Sequence, residues 1–335
     1  MNYLEKYNKW LDSEYIDEAT KEELKNISDK KEIEDRFYKE LEFGTGGLRG
    51  VIAAGDNRMN VYTVGKVTQG LADYLLEKYK GTGSISVSIA YDSRIMSREF
   101  AETSARIFCA NGINVNLFES LRPTPMLSYT VRQLKSQAGI VVTASHNPKQ
   151  YNGYKVYGED GGQVTDENAN DILSCIRLVE DFSFIKTMTY KDALNKGLLN
   201  IIGEDVDKTY YEKVKNLTIR KDMVNQHAGD LRIIYTPLHG SGNIPVRRVL
   251  DELGYKNVYV VKEQEKPDGT FPTVSFPNPE NPDVFEIALK MADKIKPDLI
   301  FGTDPDCDRI GVVVKNEKGE WQPLSGNQVG VLLTD

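Results

Sequence analysis

The sequence predicts an α/β protein: two consecutive α/β domains, each a mixed sheet flanked by helices, behind a helical N-terminal extension. Three observations carry this. Strand-like and helix-like segments alternate along most of the chain. A length of 335 residues corresponds to about two domains, ample for buried cores. Residues 1–41 are rich in Lys, Glu and Leu and read as helices, a collar packed on the first domain.

Within that collar, Ser28 is the expected cap of a helix from about Lys30 to Leu41. A glycine-rich stretch, Gly44 to Gly50, follows. Met59 to Val64 then reads as a strand, and Lys66 to Tyr79 as an amphipathic helix carrying Val67, Leu71, Tyr74 and Leu75. Strand 85–91 runs into the polar turn Asp92-Ser93-Arg94. Helix 98–110, strand 113–118, helix 124–134 and strand 139–143 come next, and helix 167–180 closes the first domain. Residues 181–200 look like a polar linker. The second domain reads helix 204–217, strand 231–236, helix 243–253, strand 257–261, helix 283–295 and strands 298–302 and 310–314. Pro267 to Pro282, dense in proline with Phe271 and Phe276, reads as an ordered loop, because two Phe residues would otherwise lie exposed.

Composition narrows the function classes. With 40% hydrophobic and 27% charged residues the chain has the balance of a soluble globular protein. A net charge of −8 gives no global support to a nucleic-acid or anionic-membrane partner. Cys109, Cys175 and Cys307 are too few and scattered for a disulfide framework, which suggests a reducing cytoplasm. The opening Met1-Asn2-Tyr3-Leu4-Glu5-Lys6 lacks a signal-peptide apolar core, and no apolar run approaches a membrane span. A cytoplasmic location is expected.

Two stretches carry candidate chemistry. Gly139-Ile140-Val141-Val142 reads as a buried strand, and Thr143-Ala144-Ser145-His146-Asn147-Pro148 leaves it as an open loop because of Pro148. Ser145 is thereby presented beyond the carboxyl end of a strand, where open α/β sheets bind ligands. Asn152-Gly153 reads as a turn that returns Lys155 on an alternating segment, Tyr154 to Tyr157. Further on, Asp304-Pro305-Asp306-Cys307-Asp308-Arg309 follows another buried-looking strand. Alternate residues of an extended segment share a face, so Asp304, Asp306 and Asp308 can converge on one hard cation, Mg²⁺ before Ca²⁺ or Mn²⁺. Other readings fail on particular residues. Arg309 and Lys315 occupy the glycine and glutamate positions of an EF-hand. Arg49 stands where a dinucleotide fingerprint needs its third glycine. Ser145 lacks the G-x-S-x-G elbow of hydrolases, and no P-loop is present. His227 falls in a polar loop and is expected at the surface, while His239, at a strand-end turn, either lines a cleft or is structural.

Thr143 to Pro148 with Asn152 to Lys155, Asp304 to Arg309, and Phe43-Gly44-Thr45-Gly46-Gly47-Leu48-Arg49-Gly50 together resemble the α-D-phosphohexomutases, the phosphoglucomutases and phosphomannomutases. Tyr235 to Gly240 and Phe271 to Val274 look most like their phosphoglucomutase/phosphopentomutase branch. The resemblance implies a domain I at 42–190, a domain II at 191–318 and the start of a third, cut-short domain at 319–335. It implies interconversion of glucose 1-phosphate and glucose 6-phosphate through a phosphoserine at Ser145, with glucose 1,6-bisphosphate as intermediate and activator. Arg49, His146 and Arg309 would line the active site, and Lys155 would act as general acid/base with a lowered pKa. Thr45, Gly46, Asn147 and His239 would touch substrate, and Ser145 would join the three aspartates on Mg²⁺. The family's sugar-recognition and distal-phosphate loops have no counterpart here, so the chain is expected to be an inactive or weakly active portion. The alternatives are a metal- and phosphate-binding fragment without turnover, or phosphomannomutase or phosphopentomutase specificity.

Overall fold

Three short helices, Tyr3–Asp12, Glu18–Lys25 and Lys30–Phe37, open the computed structural model, which describes residues 2–44 and 46–334. Each starts on a side-chain cap, from Asn2, Asp17 and Asp29 in turn. The third cap is therefore Asp29 and not Ser28, and that helix stops at Phe37, short of Leu41. Trp10, Leu24 and Phe37 are buried among the three helices. Trp10 stands edge-on to Phe37, Tyr62 and Phe182, which seats the collar on the first domain.

The first sheet contains β1 (Leu48–Val51), β2 (Ser86–Tyr91), β3 (Asn114–Phe118), β4 (Ala138–Val142), β5 (Tyr151–Gly158) and β6 (Leu199–Ile202), in the order β1-β5-β4-β2-β3-β6. β4, β2, β3 and β6 run parallel, while β5 and β1 are antiparallel additions. The second sheet contains β7 (Arg232–Thr236), β8 (Asn257–Val260), β9 (Leu299–Thr303), β10 (Ile310–Lys315) and β11 (Trp321–Leu324), in the order β11-β10-β9-β7-β8. It repeats the plan: parallel β9, β7 and β8, then antiparallel β10 and β11. In both sheets the chain crosses from one side of a central strand to the other, which opens a crevice at the strand ends. The serine loop joins β4 to β5, and the aspartate loop joins β9 to β10, so the two occupy equivalent places.

Several expectations change. Met59–Val64 is not a strand, because the Asn60 side chain accepts the Tyr62 and Thr63 N–H groups and starts the helix Val61–Lys78. Asn152-Gly153 is not a turn but part of β5, held between β4 and β1. β6 begins at the end of the expected linker and pairs with β3, so the first sheet extends past the boundary at 190. β11 pairs with β10, so 321–324 extend the second sheet. A helix at Lys221–His227 has no counterpart in the expected elements; His227 is exposed as expected. In the proline-rich loop Phe271 is buried, whereas Phe276 is exposed. No helix among the described residues is long and apolar enough to cross a membrane.

Candidate active site

Ser145 adopts a left-handed backbone, φ 51°, which costs a non-glycine residue about 1–3 kcal/mol unless its surroundings hold it. Its amide donates to Thr143 Oγ1 at 2.8 Å, and the Thr143 hydroxyl donates to Asp92 Oδ2 at 2.7 Å. Arg94, only 3% exposed, donates to the carbonyls of Ser145 (2.7 Å), Pro148 (2.9 Å) and Tyr151 (3.0 Å), and also to that of Asn147. One planar guanidinium thus fixes both arms of the loop. Its far face stacks on Phe271 of the second domain, 5.0 Å from the ring centre. Burial pushes the Asp92 carboxyl up, although Arg94, Thr143 and Ser97 all favour its charged form.

The aspartate loop is a tight turn and not an extended segment. Asp304 Oδ1 accepts the backbone N–H groups of Asp308 (3.1 Å) and Arg309 (3.0 Å), and Cys307 takes the left-handed conformation that the reversal demands. The carboxylates converge all the same, with one oxygen of each of Asp304, Asp306 and Asp308 within 4.8 Å of the others. Asp306 is positioned from the first domain: Thr124 donates its amide to the Asp306 carbonyl and its hydroxyl to Oδ2, both at 2.9 Å. Neither Arg94 nor Thr124 had a role in the sequence-based expectations. The strand-end turn Asp92-Ser93-Arg94 was the only visible signal for the former.

The two loops meet through Ser145, whose hydroxyl donates to Asp304 Oδ2 at 2.7 Å across 159 positions. With that proton directed at Asp304, the His146 Nδ1–H is the donor to Ser145 Oγ at 3.2 Å. Burial lowers the His146 pKa, and nearby Arg309 and Arg49 lower it further. Lys155, on β5 opposite Val141, donates to Asp306 Oδ2 at 2.9 Å and to Asp308 Oδ2 at 3.4 Å. The expected lowered pKa is corrected here. Burial alone would depress it, but Asp306 and Asp308 outweigh burial and hold Lys155 as an ammonium.

The donor set fits a hard divalent cation. Asp306 Oδ1 is buried without a hydrogen-bond partner among the described residues. Burial, then the charges of Asp306 and Asp308, push the Asp304 carboxyl well above the usual range, as crowded carboxylates do when positive charge is scarce.

A cleft of about 380 Å³ opens beside these groups, lined by Gly46, Arg49, Ser145, His146, Lys155, Tyr157, Gln163, Asp308 and Arg309. Tyr157 and Gln163 are additions to the expected set. Arg49 is exposed and donates to Asn147 Oδ1 at 3.4 Å, so Asn147 meets the cleft through that arginine. Arg309 donates to Glu280 at 3.2 Å from a partly exposed position. Thr45 lies outside the described residues. His239 is not brought to the cleft. It is 2% exposed, its Nδ1–H donates to the Lys266 carbonyl at 3.1 Å, and its Nε2 accepts from Thr273 at 2.9 Å. Both ring nitrogens are used by the fold, and the residue is structural.

Comparison with known proteins bears on this arrangement directly. Family models described as phosphoglucomutase/phosphomannomutase, alpha/beta/alpha domain I and domain II, match residues 40–181 and 208–319. The chain belongs to the phosphoglucomutase/phosphomannomutase family. Relatives include a phosphoglucomutase of Staphylococcus saprophyticus, 36% identical over 324 residues, covering 97% of this chain and 57% of that protein. A human phosphopentomutase is 36% identical over 313 residues, covering 91% of this chain and 50% of that protein. The chain thus spans about half the length of these relatives. A crystal structure of a phosphoglucomutase/phosphomannomutase family protein from Burkholderia thailandensis shares the fold, with a TM-score of 0.59 at 21% identity over 82% of this chain and 54% of that one.

Proposed function

We propose that this chain carries the phosphoserine and the metal-binding half of a phosphohexomutase chemistry, with glucose 1-phosphate and glucose 6-phosphate as the substrate pair. The observation that carries the reading is the 2.7 Å hydrogen bond from the Ser145 hydroxyl to Asp304, the first of three converging carboxylates. Asp304, Asp306, Asp308 and a Ser145 oxygen would hold Mg²⁺, which when bound supplies positive charge to the transferring phosphoryl group.

The protein's own groups do the rest. Phosphorylated Ser145 gives its phosphoryl to a sugar hydroxyl: the Oγ–P bond breaks as the new P–O bond forms. Lys155, an ammonium in the ground state, protonates the departing serine oxygen and regains a proton from the attacking hydroxyl. Arg49 and Arg309 face the same cleft, where they would offset phosphate charge on a chain whose net charge is −8, and the neutral His146 imidazole borders it as a hydrogen-bonding group. The reverse transfer from the other position of glucose 1,6-bisphosphate restores phosphoserine. Gly46 and Gln163 border the space left for the sugar.

The test is acceptor choice. Chain phosphorylated at Ser145 is offered glucose 1-phosphate, mannose 1-phosphate or ribose 1-phosphate with Mg²⁺. Fastest formation of glucose 1,6-bisphosphate is expected; loss of phosphate to water alone, whichever sugar is present, would sink the reading.

A further inference from the structure

A second cavity, of about 270 Å³, lies between the collar and the helices of the first domain. Phe43 and Leu48 line it, whereas Gly46 and Arg49 of the same glycine-rich loop line the catalytic cleft. Leu48 and Arg49 are consecutive on β1 and so point to opposite faces. One loop therefore separates the two spaces.

The walls are apolar, formed by Trp10, Leu41, Phe43, Leu173, Ile176 and Phe182, but a carboxyl faces the interior. Asp56 Oδ1 accepts the Trp10 indole N–H at 2.8 Å, and nothing among the described residues donates to Oδ2. Lys66, a cation that also lines the cavity, is committed to both oxygens of Glu40 at 2.9 and 3.0 Å. Around the space Glu40, Glu42, Asp56, Glu180 and Asp181 outnumber Lys9, Lys66 and Arg177. Asp56 is partly buried; burial pushes its pKa up, while the Trp10 hydrogen bond and the charges of Lys6 and Lys66 favour the carboxylate.

We propose that this cavity is an effector site for a small primary amine on an apolar body, with the ammonium on Asp56 and the apolar part against Trp10, Leu173 and Phe182. Occupancy braces Phe43 and Leu48, and with them the loop that delivers Arg49 to the cleft. Binding does not depend on the catalytic reading and is tested separately from it.

The probe is 2-phenylethylammonium. The protein contains two tryptophans, so in a Trp321→Phe background Trp10 alone reports. A saturable change in Trp10 emission at millimolar probe is expected, with a matching heat in calorimetry. The neutral 2-phenylethanol and the anionic phenylacetate should bind at least about tenfold more weakly, the order expected for a lost charge-assisted hydrogen bond. Asp56→Asn keeps an oxygen for the indole and removes the charge, and should weaken the probe by a similar factor. Should that variant not fold, Leu173→Phe fills the cavity with Asp56 intact and should abolish binding. Absence of a saturable signal, equal binding of phenylacetate, or binding that survives Leu173→Phe would overturn the proposal.

Discussion

Ser145 is held in a conformation that its own chemistry disfavours, and the residue that holds it is Arg94. Lysine at that position keeps the charge but cannot serve four carbonyls from one rigid plane. Arg94→Lys is therefore expected to slow phosphoryl transfer to Ser145 by about a hundredfold, the order associated with misplacing a reacting group by an ångström. Mg²⁺ affinity should fall much less, since Arg94 donates to none of the three carboxylates and Ser145 would be one donor among four; equal loss of both would mean general unfolding. Asp306→Asn makes the opposite prediction. It removes charge where Lys155, Thr124 and the cation would meet, so metal affinity and phosphoryl transfer should fall together. Unchanged Mg²⁺ dependence would make the loop purely structural. At this scale Ser145 and the aspartate triad were legible as candidates, because a serine in a strand-end loop and closely spaced carboxylates stand out in the sequence, although Ser145 itself is only 4% exposed. Arg94 was not, since a buried clamp and a surface arginine look alike in one dimension. Lys155 was misjudged because its charge state depends on carboxylates 151 and 153 positions away.

Elements were read well where a long amphipathic pattern stood alone, as in Thr124–Leu134, and poorly where one side chain or a distant partner decided. Val61-Tyr62-Thr63-Val64 has strand-like residues, yet the Asn60 cap makes it helical. Asn152-Gly153 has turn chemistry, yet strands on both sides draw it into β5. The collar depends on a few aromatic contacts. Phe37, 0% exposed, is its centre, and Phe37→Ala should cost about 3–5 kcal/mol, measured by denaturant titration. A loss under about 1 kcal/mol would mean the collar is not part of the cooperative unit. The turn after β7 carries a pH prediction through His239. Burial lowers its pKa below the ordinary 6.5, so the folded state favours the neutral ring. The unfolded chain takes up the proton first, and stability should fall as pH drops from about 7 to about 5.5. His239→Gln should flatten that fall; an unaltered pH profile would show that the ring is not what titrates.

The whole molecule places two equivalent strand-to-antiparallel-strand loops face to face, one with Ser145 and one with the carboxylates. Sequence could mark both loops but not that β6 and β11 complete their sheets, because pairing between distant strands leaves no local signature. On the proposed reading, transfer onto Ser145 would need only this cleft and Mg²⁺. On the same reading, turnover would also need the bisphosphate to be held while it reorients, with binding energy from remote substrate groups. A polypeptide of these 335 residues should therefore unfold cooperatively and accept phosphate, yet convert glucose 1-phosphate to glucose 6-phosphate only in traces. Turnover equal to that of the longer relatives would contradict this. The most direct measurement is peptide mass spectrometry after incubation with glucose 1,6-bisphosphate and Mg²⁺. Phosphate should appear on the peptide containing Ser145, in the wild-type chain and not in Ser145→Ala. Phosphate on another residue, or none on the wild-type chain at saturating bisphosphate, would contradict the assignment of Ser145 as the phosphoryl carrier.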